Sequence, residues 1–348
     1  MTPYPGGTAD TGSGYRGGVL DPSIAAVRRA VRLSLAPFEN SGATILVALS
    51  GGPDSLALAA AAAHEGPRLG VEVASVTIDH QLQEGASEVA QRAAEAARGL
   101  GIADARTMIA EVGTRGGPEA AARDARYLAL DGAAWTSNAA AVLLGHTLDD
   151  QAETVLLALA RGSGARSLSG MSPHRVDQRG LAWIRPLLDV RRKTTRAFCA
   201  ASGLEPWQDP HNEDERFRRV RVRRSVLPVL ERELGPGVAA ALARTAEQMR
   251  EDDEAFADMI DETIEDIVEH AEAGIAVSAA ALAANPPAIR NRIIRLVVDS
   301  EFGASLTRSQ TLEVARLATD WRGQGPIDLP GCTARRDGGR VVFTAGRS

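Results

Sequence analysis

Lys193 is the only lysine among the 39 Lys and Arg residues of this 348-residue chain. Arginine in place of lysine almost everywhere reads as a compositional bias of the genome, so arginine identity alone carries little weight. Cysteine is scarce too. Cys199 and Cys332 lie far apart and form no Cys-x-x-Cys, which removes a disulfide scaffold, a zinc site and an iron–sulfur cluster, and makes a cytoplasmic location the expectation. No apolar run approaches the length of a membrane span, and residues 1–18, rich in Gly, Thr and Pro, have no apolar signal-peptide core. No membrane partner is expected, and residues 1–20 are expected to be a disordered extension. There is no internal repeat. What remains, 44% hydrophobic and 24% charged, suffices to bury a sizeable core and to divide into two domains.

A net charge of −6 argues against a nucleic-acid partner until its distribution is considered. Residues 216–224 hold six arginines in nine positions, and residues 175–196 carry seven basic side chains against Asp177 and Asp189. Residues 247–272 hold twelve carboxylates with Arg250 as the one Lys or Arg. A basic stripe beside an acidic helix can bind a polyanion locally despite the overall sign. Either basic cluster alone is equally consistent with a solvated face.

Asp21-Pro22 caps a helical pattern carrying Ile24, Val27, Val31, Leu35 and Phe38. Apolar strand patterns at 44–49, 71–78, 106–109 and 142–144 then alternate with helices starting at Pro53, Ala86, Pro118 and Leu148. This order predicts an α/β domain with a parallel sheet over residues 21–214, with ligands beyond the carboxyl ends of its strands. Ser50, Asp79-His80 and Gly145-His146 fall at three such ends. Residues 215–348 read as a smaller, mainly helical domain, with Met249, Phe256, Ile260, Ile264 and Ile267 striping an acidic helix. Short strand patterns follow at 327–329 and 340–343.

Residues 46–55, Leu-Val-Ala-Leu-Ser-Gly-Gly-Pro-Asp-Ser, run a strand into a glycine-rich turn that opens a helix. Gly51 and Gly52 allow close backbone approach, and Pro53 suits the first helical turn. The open N–H groups and the positive end of the helix then face an anion. The spacing and lysine of a Walker A loop are absent, which disfavours kinase-type and GTPase-type chemistry. Ser50-Gly51-Gly52-x-Asp54-Ser55 resembles instead the pyrophosphate loop of the N-type ATP pyrophosphatases (the PP-loop enzymes), which cleave ATP between its α and β phosphates.

Two further clusters carry chemistry. His146, Asp149, Asp150 and Glu153 gather at a helix start, with Asp149/Glu153 and Asp150/Glu153 one turn apart. Carboxylates there are favourable in themselves, but three with a histidine exceed what capping needs; they can ligate Mg²⁺ or grip an ammonium group. In residues 118–127, Glu119 and Arg123 sit at i, i+4, ordinarily a weak surface ion pair. The alternative is an arginine aimed at phosphate or tRNA.

Together these segments resemble the tRNA(Ile)-lysidine synthases. The resemblance covers most of the chain: residues 50–55, Asp79-His80, 119–127, 145–154, Arg161-Gly162-Ser163-Gly164, Gly170-Met171, Arg185-Pro186-Leu187-Leu188, the 218–224 region ending in Leu227-Pro228, and Leu329-Pro330-Gly331 with Val341-Val342-Phe343. Gln83 stands where that family has arginine after Asp79-His80, and His211 where it has serine, which leaves the contacts of those two loops open. The extra C-terminal domain of longer members is not matched.

The resemblance implies an ATP- and Mg²⁺-dependent ligase with an adenine-nucleotide alpha-hydrolase-like catalytic domain. Its substrates are free L-lysine and the isoleucine tRNA with a CAU anticodon, and a homodimer is an arrangement it allows. Ser50, Gly51, Gly52, Pro53, Asp54, Ser55, Asp79 and His80 are implied for ATP, with Asp54 as the Mg²⁺ partner. His146, Asp149, Asp150 and Glu153 are implied for lysine. Arg123 and Arg126 join Asp54, Asp150 and Glu153 in catalysis, and Arg218, Arg219, Arg221, Arg223 and Arg224 are implied for tRNA. The alternatives are another tRNA-modifying ATP pyrophosphatase, disfavoured where sulfur transfer needs cysteine pairs, and a catalytically inert tRNA-binding protein, disfavoured by intact Asp54, Asp150 and Glu153.

Overall fold

A computed structural model describes residues 15–16, 19–81, 85–110, 113, 118–162, 164–271 and 274–346. The expected disordered extension lies outside these residues, apart from β1 (Tyr15–Arg16) and β2 (Val19–Leu20), which pair antiparallel. Among the described residues no helix is long and apolar enough to cross a membrane. The chain forms two compact units, Met1–Arg250 and Glu251–Ser348.

Helix α1 (Pro22–Leu35) is capped by Asp21, which accepts from the Ser23 amide at 2.8 Å, and it buries Ile24, Val27, Val31 and Leu35 on one face. Strands and helices then alternate: β3 (Thr44–Ala48), α2 (Pro53–Glu65), β4 (Glu72–Asp79), α3 (Ala86–Gly99), β5 (Ala105–Ile109), α4 (Pro118–Thr136), β6 (Ala139–Leu143) and α5 (Leu148–Leu159). After the short α6 (Ala165–Leu168) come β7 (His174–Val176), β8 (Ala182–Ile184) and α7 (Arg192–Ala201). The sheet order is β5-β4-β3-β6-β8-β7, parallel except for β7, which pairs antiparallel with β8. Both faces of the central strands are covered. Ile45 and Val47 join one core with α1 and α2 residues, while Leu46 joins the other with Leu130 of α4 and Val142 of β6. Burial on both sides is why β3 reads as a continuous apolar run rather than an alternation.

The chain runs outward from β3 through β4 to β5 and returns to β6 on the other side of β3. The β3/β6 gap is therefore the topological switch point, where the loops after neighbouring strands diverge and leave a crevice. Residues 50–52 and 145–147 form the rims of that crevice. Gly145 fixes how closely they approach. A Cβ there would lie 3.1 Å from both Cα and N of Ser55.

The first unit extends past residue 214, where the sequence placed a boundary. Helices α8 (Arg218–Arg221) and α9 (Leu227–Glu233) flank a π-helical turn at Val222–Val226, and α10 (Val238–Ile267) follows. Val222, Leu227 and Ala239 pack with Ala152 of α5, and Arg250 donates to the Ser169 and Met171 carbonyls at 3.0 Å each. These contacts carry the division to Arg250, within α10.

The second unit is mainly helical, as expected, with α11 (Ala279–Ala284), α12 (Pro287–Phe302) and α13 (Arg308–Thr319). It also holds β9 (Val268–Ala271), β10 (Gly274–Ser278), β11 (Ile327–Leu329), β12 (Cys332–Asp337) and β13 (Arg340–Ala345), an antiparallel sheet of order β11-β12-β13-β10-β9. Phe256, Ile260, Ile264 and Ile267 pack into its core with Ile293, Val297 and Phe343, which accounts for the apolar stripe on the acidic helix.

Candidate active site

The turn after β3 has the conformation its residues permit. Gly51 has φ of 79°, a left-handed backbone that favours glycine, and its carbonyl accepts from the Trp207 amide at 2.9 Å. The Ser50 amide donates to Ser55 Oγ at 3.1 Å, and Ser55 Oγ donates to the Gly52 carbonyl at 3.1 Å. These bonds hold the turn in a curl at the N-terminus of α2. Gly52 caps that helix with no side-chain partner, so the first-turn amides are available to an anion.

The rim after β6 presents His146, Thr147 and the first turn of α5. Thr147 donates to Asp150 Oδ2 from its amide at 2.8 Å and from its hydroxyl at 2.7 Å, closing the helix start around the carboxylate. Burial alone would raise Asp150, but Arg192 and Arg219 outweigh it and hold the carboxyl at about 2. Burial lowers His146 to about 3, with the cations Arg185, Arg219 and Arg126 adding to it, so the imidazole is neutral at physiological pH. Its Nδ1 is buried without a hydrogen-bond partner among the described residues. Because the folded value of Asp150 lies below its ordinary one, its contribution to stability is complete above about pH 4 and lost as pH falls through about 2. Thermal unfolding followed against pH is expected to show that acid loss, and Asp150→Asn to flatten it.

The start of α7, which the sequence counted only within a basic stretch, reaches every carboxylate of the site. Arg191 pairs with Asp149 at 3.0 Å, and the Arg192 amide donates to Asp149 at 2.7 Å. The Arg192 guanidinium meets Asp150 at 2.7 Å, Glu153 at 3.0 Å and Asp54 at 3.5 Å. Burial works against this cation, yet Asp150, Glu153 and Asp54 together raise its pKa. The Thr195 hydroxyl shares its one proton between Asp54 Oδ1 and the Arg192 carbonyl. Asp54 is raised, with burial as the largest cause, against the opposing pull of Thr195 and Arg192.

Two residues expected to contact tRNA are drawn into the same network. Arg219 and Arg223, four residues apart, reach Glu153 at 2.9 and 2.7 Å. Glu153 is 0% exposed and receives three guanidinium groups. Glu153, expected for lysine, thus meets arginine here, as do Asp149 and Asp150, and it anchors the cluster. Arg219 and Arg223, expected for tRNA, are partners of α5 in this structure. Arg218, Arg221 and Arg224 remain exposed, the last two donating to the carbonyls of Glu215 and Glu213.

The other expected residues fall as follows. Asp79, at the end of β4, is buried and accepts from the Gln81 amide at 2.9 Å and from Ser87 Oγ, so it shapes its loop. His80 beside it is lowered by burial and by Arg126. Arg123 lies over the Tyr127 ring at 5.6 Å, and Tyr127 packs on Trp183 at 5.3 Å. The Glu119 side chain and Gln83 lie outside the described residues. His211 sits edge-on to Phe217 at 5.8 Å. Arg185 is buried and donates to the Ser172 carbonyl at 2.8 Å and Tyr127 Oη at 3.3 Å.

A largely parallel sheet whose switch point carries a Ser-Gly-Gly-x-Asp-Ser turn defines a PP-loop nucleotide domain. The family model described as PP-loop domain matches residues 26–230, and the TilS substrate binding domain matches residues 278–342. The tRNA(Ile)-lysidine synthase of Leifsonia xyli subsp. xyli is 58% identical over 303 residues, covering 87% of this chain and 90% of that protein. The tRNA(Ile)-lysidine synthase of Thermobifida fusca is 49% identical over 328 residues, covering 93% and 98%. The chain belongs to the tRNA(Ile)-lysidine synthase family. Among solved structures, the U34-tRNA thiolase NcsA from Methanococcus maripaludis matches with a TM-score of 0.55 at 18% identity, covering 66% of this chain and 80% of that one, a likeness of fold.

Proposed function

We propose that this enzyme joins free L-lysine to C2 of the wobble cytidine in the CAU anticodon of isoleucine tRNA, consuming ATP and releasing AMP and pyrophosphate. The cytidine O2 attacks the α-phosphorus as the bond to the β-phosphate breaks. The ε-amine of lysine, having lost a proton, then attacks C2 and AMP leaves. Family membership together with the open N-terminus of α2 behind the Ser50–Ser55 hydrogen bonds carries this reading. The first-turn amides and the helix dipole suit the β and γ phosphates and the charge that grows on the departing pyrophosphate. An anticodon loop, already single-stranded, presents its base without the cost of unstacking a duplex.

The charge pattern supports the remaining assignments. Asp150 is ionised throughout the physiological range and, with His146, Asp149 and Glu153, forms the wall for the lysine ammonium, which would take up carboxylate contacts now made by arginine. Arg123 and Arg126 at the start of α4 serve charge on nucleotide or tRNA. Among the described residues no group of three or more His, Cys, Asp or Glu could hold a metal by itself. Asp54 offers one carboxylate at the phosphate-binding turn, and its Oδ2 receives no hydrogen bond among the described residues. That donor set fits Mg²⁺, which ordinarily takes one or two carboxylates plus substrate phosphates. Asp54 would hold the ion, and the ion would neutralise phosphate charge.

The deciding experiment measures pyrophosphate release from ATP with the CAU-anticodon transcript, with and without lysine, followed by mass analysis of the digested nucleosides. A lysine-dependent cytidine bearing one lysine is expected. Pyrophosphate release without that product would move the acceptor elsewhere, and no release would return the chain to an inert tRNA-binding role.

The exposed arginines give a separate prediction. Replacing Arg218, Arg221 and Arg224 by alanine is expected to weaken tRNA binding and to reduce the slope of log affinity against log salt by about 2, at roughly 0.7–0.9 per lost phosphate contact. Titrations at several salt concentrations check it. An unchanged slope would confine these three side chains to local contacts such as those with Glu213 and Glu215.

A further inference from the structure

The first turn of α7 is assigned no part in the reaction by the motifs around it, yet it touches both rims of the crevice. Asp54 belongs to the phosphate-binding turn, Asp150 and Glu153 to the opposite rim, and Arg192 bridges all three. Its distances are unequal. The 2.7 and 3.0 Å contacts to α5 are hydrogen bonds, while 3.5 Å to Asp54 is an electrostatic contact that orients the carboxylate without occupying its lone pairs. Thr195 completes the arrangement. Its hydroxyl fixes Asp54 Oδ1 while remaining tied to the Arg192 carbonyl, so one helical turn sets both the position and the rotation of the carboxyl group. Thr195 is itself 0% exposed, which leaves its hydroxyl no competing water. Gly145, pressed on the Ser55 backbone, closes the other side of the same turn.

We infer that Thr195 and Arg192 are positioning residues for Asp54, holding its carboxylate in the geometry that pyrophosphate release requires while leaving substrate binding to other groups. This rests on the ATP chemistry proposed above. Misplacing a reacting or orienting group by a fraction of an ångström lowers turnover more than affinity, because the contact matters most in the transition state.

The test is steady-state pyrophosphate release by the full chain, with ATP varied at saturating tRNA and saturating lysine, for wild type, Thr195→Val, Thr195→Ser and Arg192→Gln. Thr195→Val keeps the shape of the buried side chain and removes its hydroxyl; it is expected to lower kcat about tenfold or more while KM for ATP stays within about twofold. Thr195→Ser restores the hydroxyl and is expected to recover most of that loss. Because Arg192→Gln also loosens Asp150 and Glu153, its thermal unfolding and tRNA affinity are measured alongside, and the valine/serine pair decides the matter if it fails to fold. Wild-type turnover in Thr195→Val, a loss confined to KM, or a serine variant no better than valine would each overturn the inference while leaving the reaction intact. A wild-type chain that releases no pyrophosphate would overturn the reaction and this inference with it.

Discussion

Replacing Glu153 by glutamine is expected to lower the stability of the Met1–Arg250 unit by about 3–5 kcal/mol, the range for breaking a buried ion pair from one side. Glu153 is fully buried and gathers Arg192, Arg219 and Arg223 through contacts of 3.0, 2.9 and 2.7 Å. Three buried or half-buried guanidinium groups then share Asp150 and Asp54, and the new amide sets an N–H against donors where an oxygen accepted. The loss propagates, because Arg219 and Arg223 tie residues 218–226 to α5. Urea unfolding, with hydrogen exchange of the α5 amides, measures the change. A loss below about 1 kcal/mol would mean that the arginines re-pair with Asp150 or water, placing this cluster among surface ion pairs.

This cluster also marks where the sequence stopped being legible. The turn at residues 50–55 and the carboxylates at 149–153 could be read locally, because a glycine turn, a helix start and their chemistry lie within a few residues. The counter-ions could not. Arg192 lies 39 residues after Glu153 and Arg223 lies 70 after it, and nothing in a run of arginines says which face meets carboxylate and which meets water. Four-residue spacing separates Arg219 and Arg223 from exposed Arg218, Arg221 and Arg224, but only the position of α5 gives the spacing a direction. A signal did exist in charge balance: three carboxylates on a largely apolar helix, with Ala152 and Val155 beside them, need cations from elsewhere. Strands showed the same division. Central β3, β4 and β6 announced themselves as apolar runs, whereas β7 is a short exposed edge strand, His174–Val176, with no burial to pattern it. Strands β9 and β10, four and five residues long, pair antiparallel between α10 and α11 and were hidden by short length and by those flanking helical patterns.

Gly145→Ala is expected to reduce pyrophosphate release about tenfold, since a shift of a few tenths of an ångström is a fraction of the misplacement of about 1 Å that costs on the order of a hundredfold. The argument does not rest on glycine's backbone freedom but on space. The added Cβ would stand 3.1 Å from Cα and N of Ser55 and 3.3 Å from the carbonyl carbon of Asp54, and all three neighbours are backbone, so no side-chain rotation relieves the contact. Either the first turn of α2 moves away from β6 or the 145–147 rim lifts from the sheet. In the first case the Ser50–Ser55 curl opens and the amides lose the pocket they line; in the second, Thr147 and Asp150 shift relative to Arg192. Both move the Ser50–Ser55 turn relative to the 145–147 rim by a few tenths of an ångström, a shift expected to lower turnover in the proposed reaction. Folding suffers less than turnover, since the strain sits at the open edge of the crevice and the sheet below it retains its pairing, Ile45 with Ala141 and Val47 with Leu143. Measuring kcat for pyrophosphate release beside the thermal midpoint separates the two effects. Turnover preserved within about threefold would show that the rims can part without cost, and that the close approach at Gly145 serves packing rather than alignment.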